Sequence, residues 1–161
     1  MSKCVLDTSI CVDLWSAGIL ENALRLPHDF LLPDVIAEEC KEPPGEYLKS
    51  LDIVSVSLEA EHIDSVAILV EQYGQPSLSD LFALAYAKAH VHMLLTGDGP
   101  LRAAAENEGV EVHGVIWIVD AMVQQNILSP ADAATALERM IEAGSWLPRD
   151  ECQDRIRRWR E

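Results

Sequence analysis

The chain has 161 residues, 49% of them hydrophobic, with 8 glycines and 8 prolines. That composition excludes disorder and low complexity and is enough for one domain with a real core. Acids outnumber bases by 27 to 12 for a net charge of -15, which repels nucleic acid at long range; such a substrate needs local cations, bound metal or a partner. Met1-Ser2-Lys3-Cys4 lacks a signal-peptide pattern and no apolar run approaches transmembrane length, so no membrane association and a cytoplasmic location are expected.

In chain order, Lys3-Cys4-Val5-Leu6-Asp7-Thr8-Ser9 comes first. Its apolar run without alternation reads as a strand buried on both faces that delivers a carboxylate at its C-terminal edge. In open parallel sheets, ligands bind just outside such strand ends. A helix follows from Thr8 or Ser9 to Ala17, with Thr8 and Ser9 as N-cap candidates, Ile10, Leu14 and Trp15 on its inner face, and Gly18 as its stop. A short helix spans Ile19 to Leu26. Phe30-Leu31-Leu32 reads as the next buried strand, closed by Pro33. Asp34 caps a helix from Val35 to Lys41 that carries Glu38 and Glu39. Pro43-Pro44-Gly45 reads as a hinge, and the segment Asp52 to Ser57 as an edge strand. Helices are expected from Leu58 to Tyr73 and, headed by Asp80, from Leu81 to Ala89. Val91 to Thr96 is a second continuous apolar run and reads as a buried parallel strand. Gly97-Asp98-Gly99-Pro100 turns into a helix from Leu101 to Glu108, and Val110 to Val112 make a last short strand. Helices over 115–127, 130–143 and 149–160 complete the chain.

Helices alternating with short strands imply right-handed crossovers and an α/β fold: a three-layer α/β/α sandwich on a short parallel sheet, with C-terminal helices added. No repeat or linker divides residues 1–161, so a single domain is expected, with its core over 3–115 and a helical extension over 116–161. Cys4, Cys11, Cys40 and Cys152 form no Cys-x-x-Cys pair and read as buried thiols rather than zinc ligands.

Asp7 and Asp98 lie at expected strand ends, while Glu38 and Asp80 lie on helices that could face the same rim. Four carboxylates brought together are unfavourable: at ~5 Å and an effective dielectric of ~20, each pair repels by roughly 3 kcal/mol. Such a cluster persists by raising its pKa values or by binding a hard cation, and oxygen-only ligands favour Mg2+ or Mn2+ over zinc. Taken singly, Asp7 and Asp80 also suit helix starts, Asp98 suits a turn, and Glu38 suits a solvated helix face. Glu39 is the rival of Glu38, which spacing prefers.

Four segments resemble PIN-domain ribonucleases in order and spacing. They are Val5-Leu6-Asp7-Thr8-Ser9, Pro33-Asp34-Val35-Ile36-Ala37-Glu38, Leu78-Ser79-Asp80-Leu81-Phe82-Ala83-Leu84-Ala85, and Leu94-Leu95-Thr96-Gly97-Asp98 with Leu101 three residues on. The resemblance covers residues 3 to 115. It implies a PIN-like fold and metal-dependent cleavage of RNA, most often by the VapC-type toxin of a toxin–antitoxin pair. Asp7, Glu38, Asp80 and Asp98 would then hold one or two Mg2+ or Mn2+ ions, with Thr8, Ser9 and Thr96 on the site rim. Water would attack in line to leave a 5′-phosphate and a 3′-hydroxyl. A small basic antitoxin and a homodimer are the implied partners. A PIN-like module that binds metal or protein without turnover is the alternative. A haloacid-dehalogenase-like phosphotransferase is set aside, because Ser9 stands where a second Asp is needed.

The remaining signals have plainer readings. Asp120, in an apolar neighbourhood, reads as a surface-facing helix acid or a supporting contact to the site. His90 and His92 flank Val91 on one strand face and lack a third metal ligand. Trp117, Trp146 and Trp159, with Met122 and Met140, are assigned to the core or a subunit interface rather than to base stacking. Arg149, Arg155, Arg157, Arg158 and Arg160 are assigned to a C-terminal helix, favouring its dipole and pairing with Asp150, Glu151 and Asp154. A phosphate- or partner-contacting arm is the alternative.

Overall fold

The computed structural model describes residues 2–161. Five strands, β1 (Ser2–Leu6), β2 (His28–Pro33), β3 (Val54–Val56), β4 (Met93–Leu95) and β5 (Val112–His113), form one sheet in the order β3-β2-β1-β4-β5. Every pairing is parallel. β1 lies at the centre because Cys4, Val5 and Leu6 have no polar face to show to water, and all three are buried.

Ten helices cover the sheet. α1 (Thr8–Ser16), α2 (Leu20–Ala23), α8 (Val115–Gln124), α9 (Pro130–Glu142) and α10 (Arg149–Trp159) pack among themselves. So do α3 (Asp34–Glu39), α4 (Gly45–Ser50), α5 (Ala60–Gln72), α6 (Leu78–His90) and α7 (Gly99–Asn107). The result is the expected α/β/α sandwich. The chain runs from β1 outward to β3, then crosses to β4 and β5. The strand order therefore reverses between β1 and β4, and a crevice opens at their C-terminal ends. No helix among the described residues is long and apolar enough to cross a membrane.

Several expectations need correction. The segment 43–45 is no simple hinge: Gly45 opens α4 against α3, where a Cβ would stand 1.9 Å from the Ala37 carbonyl oxygen. The strand expected from Val91 begins at Met93, because α6 runs on through His90. Val91 itself ends that helix in the left-handed region, at φ 56° and 91% exposed. His90 and His92 therefore do not share a strand face. They stack beside Tyr86, and His90 meets a buried third histidine, His62, at 3.2 Å between Nε2 atoms. Trp15 is not inside with Ile10 and Leu14; it packs edge-on against Tyr47, ring centroids 5.1 Å apart. Met122 and Met140 are fully buried and Trp117 and Trp159 pack against the core, whereas Trp146 stands 93% exposed. All four cysteines are buried free thiols, and burial pushes the Cys4 thiol up to about 12.

The arginine-rich end folds back on its own protein. Arg155 grips Asp120 of α8 through Nε and Nη2, both at 2.8 Å, so Asp120 serves an ion pair and not a solvent-facing surface. Arg160 pairs with Glu138 of α9, and Arg157 and Arg158 both reach Asp154.

Candidate active site

Asp7 leaves β1 as the N-cap of α1, so capping falls to it rather than to Thr8 or Ser9. Its side chain is 1% exposed. Oδ1 accepts from Ile10 N at 2.9 Å and from Ser9 Oγ at 2.8 Å, while Oδ2 accepts from the Thr96 hydroxyl. Thr96 follows β4 and is itself fully buried; its Oγ1 accepts from Asp98 N at 3.0 Å. Ser9 Oγ accepts from Gly97 N at 2.9 Å. The ends of β1 and β4 are thus sewn together by two hydroxyls across the crevice.

Burial raises the Asp7 carboxyl to about 7, against the opposing pull of Thr96, Ile10 and Ser9, and the charge of Asp80 adds to the rise. Asp80 is the third residue of α6. It accepts from Ser77 N at 3.2 Å in a reciprocal capping box with Ser77. Burial raises its pKa first, and Asp98 and Glu39 add to that rise. Asp98 caps α7, with Oδ2 accepting from Leu101 N at 2.9 Å. Asp80 is therefore the acid that senses the other three, Asp7, Asp98 and Glu39.

Of the two adjacent glutamates, Glu39 is the one held by neighbouring elements. Its Oε1 accepts from the Thr8 hydroxyl and its Oε2 from Ser79 Oγ at 2.8 Å, which ties α3 to α1 and α6. Both glutamates are exposed, but Glu38, the residue that spacing prefers, makes no side-chain hydrogen bond or ion pair among the described residues. A six-residue helix gives little phase information, so two adjacent acids, about 100° apart around the axis, stayed undecided in the sequence.

Two residues at the site, Ser79 and Asp13, were missed from the sequence, and a third, Trp146, was assigned to the core or an interface. Ser79 is buried and fixes Glu39. Asp13, one turn beyond Ser9, is buried, its pKa raised by that burial, and accepts from Ser145 Oγ at 2.6 Å. Trp146 lines the same cleft as Ser9, Asp13 and Asp98. The i, i+4 spacing of Ser9 and Asp13 was the available signal for Asp13. Asp120 lies in a neighbouring cleft with Thr96 and Gly97, committed to Arg155.

The donor set suits a hard divalent cation in kind, because the rim offers only carboxylate and hydroxyl oxygens to it. Among the described residues, no group of three or more His, Cys, Asp or Glu side chains is positioned to hold a metal ion. Each rim carboxylate is instead propped by hydroxyl or backbone donors.

A family model described as a PIN domain (DUF3368) matches residues 3–161. No curated protein matches the chain significantly. Among solved structures, a PilT N-terminus domain protein, SSO1118, from Sulfolobus solfataricus P2 is similar over 76% of this chain and 94% of its own, with 10% identity and a TM-score of 0.50. The VapBC2 complex of Rickettsia felis, bound to a DNA fragment from its promoter, aligns over 70% of this chain and 98% of that one, with 13% identity and a TM-score of 0.49.

Proposed function

The chain belongs to the PIN-domain family, and on that premise we propose that it is a divalent-metal-dependent endoribonuclease, the toxin component of a toxin–antitoxin pair. The observation that carries this reading is the Asp7 carboxylate: buried in the crevice where strand order reverses, clamped by Thr96 and Ser9, and held under the charge of Asp80. A protein keeps so costly a cluster of acids where a cation relieves it.

Asp7, Glu39, Asp80 and Asp98 are the residues to hold Mg2+ or Mn2+, with Glu39 in the place that spacing gave to Glu38. A cation bound there supplies a hydroxide near neutral pH and offsets charge on the phosphodiester. The chain's own contribution is orientation. Thr96 and Ser9 fix both oxygens of Asp7, and Thr8 and Ser79 fix those of Glu39. Asp98 and Asp80 each spend one oxygen on a helix start and keep the other for the rim. His62, His90 and His92 gather around Tyr86, with His90 at the end of α6 opposite to Asp80.

The net charge of -15 suits a small basic antitoxin as partner and makes unaided RNA binding the step most in need of local contacts. That charge also favours a second reading, a PIN-like module that binds metal or partner without turnover. One assay separates them: cleavage of single-stranded RNA with and without Mn2+, comparing wild type with Asp7→Asn. Mn2+-dependent cleavage lost in Asp7→Asn supports the nuclease. Equal cleavage by both proteins refutes the mechanism, and no cleavage by the wild type favours the second reading.

A further inference from the structure

The connection between α9 and α10 holds an aromatic side chain in an unusual way. Gly144, at φ 89°, ends α9 in the left-handed region. Ser145 then donates its hydroxyl to Asp13 Oδ1 at 2.6 Å and its N–H to the Met140 carbonyl at 3.0 Å. Pro148 caps α10 two residues after Trp146. The backbone is thus pinned on both sides of Trp146, while the indole is 93% exposed. An indole left in water forgoes the burial that ordinarily makes tryptophan favourable in a fold. The other three tryptophans are all far more covered, the most exposed being Trp15 at 40%.

Two clefts meet at this ring. One of about 670 Å³ runs over Ser9, Gly97 and Asp98; the other, of about 220 Å³, runs over Thr96, Gly97 and Arg102. Both open on the loop whose hydroxyl clamps Asp7. Arg102 is half-exposed, lies over Gly114, and has only a 3.5 Å surface pair with Glu106, whereas Arg155 in the same cleft is committed to Asp120. A protein of charge -15 cannot gather RNA by its overall field. Stacking of a base on an aromatic ring does not depend on that field, and it needs an unpaired base.

We propose that Trp146 is a stacking platform for a nucleobase of single-stranded RNA beside the scissile phosphate, with Arg102 facing an adjoining phosphate. The proposal rests on the ribonuclease reading and names how that site takes its substrate. Trp146 selects for a base, whatever its identity, and Arg102 for the backbone.

The test is fluorescence anisotropy with a labelled single-stranded 12-nucleotide RNA of mixed sequence and its fully abasic counterpart, in low salt with Ca2+ in place of the catalytic ion. Trp146→Ala is expected to weaken binding of the mixed-sequence RNA roughly 5- to 150-fold, the range of one aromatic–base stack. Trp146→Phe should retain most of the affinity, and the abasic RNA should bind wild type and Trp146→Ala alike. Arg102→Gln should weaken both RNAs equally. Mixed-sequence binding unchanged in Trp146→Ala overturns the platform, as does equal loss for both RNAs, which marks a structural role. A change in sedimentation of Trp146→Ala with RNA binding intact assigns the ring to self-association and also overturns it. A wild type that binds neither RNA overturns the ribonuclease reading and this proposal with it, whereas a wild type that binds while Trp146→Ala matches it overturns only the platform.

Discussion

Replacing Asp7 by Asn should make the metal-free protein more stable, by an amount that depends on pH. The Asp7 carboxyl is raised from 3.8 to about 7, mainly by burial. Below about pH 4 it is protonated in both the folded and the unfolded chain, so wild type and Asp7→Asn differ by a constant. As pH climbs from there toward 7, the unfolded wild type releases this proton and the folded one keeps it. The wild type therefore loses stability relative to the variant by ~1.4 kcal/mol per pH unit. Over roughly three units the gap opens by about 4 kcal/mol, and above pH 7 it stays flat. Asn reproduces the shape of the side chain, and Ser9 and Thr96 can turn their hydroxyls to accept from its amide, so any cost of refitting hydrogen bonds is independent of pH. Urea denaturation of both proteins in EDTA, from pH 4.5 to 8, measures the gap directly. A gap that stays constant with pH, or that widens toward acid, refutes the reasoning. Addition of Mn2+ at about 100 times its dissociation constant should add ~2.7 kcal/mol to the wild type at pH 7.5 and markedly less to Asp7→Asn.

Three further outcomes follow from particular contacts. Glu39→Gln should lower Mn2+-dependent cleavage at least tenfold in single-turnover assays, with Glu38→Gln within twofold of wild type, because only Glu39 is tied to Thr8 and Ser79. Arg155→Ala strips the two-point grip on Asp120, leaving a half-buried carboxylate unpaired; a loss of about 1–3 kcal/mol is expected in urea melts, with faster hydrogen exchange in α10. Val91→Gly should raise stability by about 1 kcal/mol in thermal unfolding, since a β-branched residue is held at φ 56° while its side chain, 91% exposed, packs on almost nothing.

The buried strands and the acids at their ends were legible because the pattern there is local. Cys4-Val5-Leu6 runs straight into Asp7, and Leu94-Leu95-Thr96 into Gly97 and Asp98. Helix phase was legible where a helix was long, as in α6, and failed in the six residues of α3, where both glutamates are exposed but only Glu39 meets Thr8 and Ser79. Val91 misled because hydrophobicity says nothing of a left-handed helix end; only the unbroken α-helix before it fixes that geometry. Asp120 and Arg155 are 35 residues apart, and no spacing rule within one helix connects them. Trp146 had the opposite problem. A large aromatic residue in an otherwise buried-looking segment reads as core, and its exposure depends on Gly144 and Ser145 fixing the chain around it.

The central position of β1 also sets the order in which the site can come into being. β1 is made before the other four strands, yet the hydroxyl that clamps Asp7 arrives 89 residues later, on the loop after β4. At ~5–20 residues per second, synthesis separates the two halves of the clamp by roughly 5–20 s. Through that interval a nascent chain has Asp7 and Glu39 but neither Thr96 nor Asp98, and β1 has a neighbour on one side only. Premature termination anywhere before β4 thus leaves the crevice unassembled. The crevice is completed late in translation, when contacts distant in sequence close it.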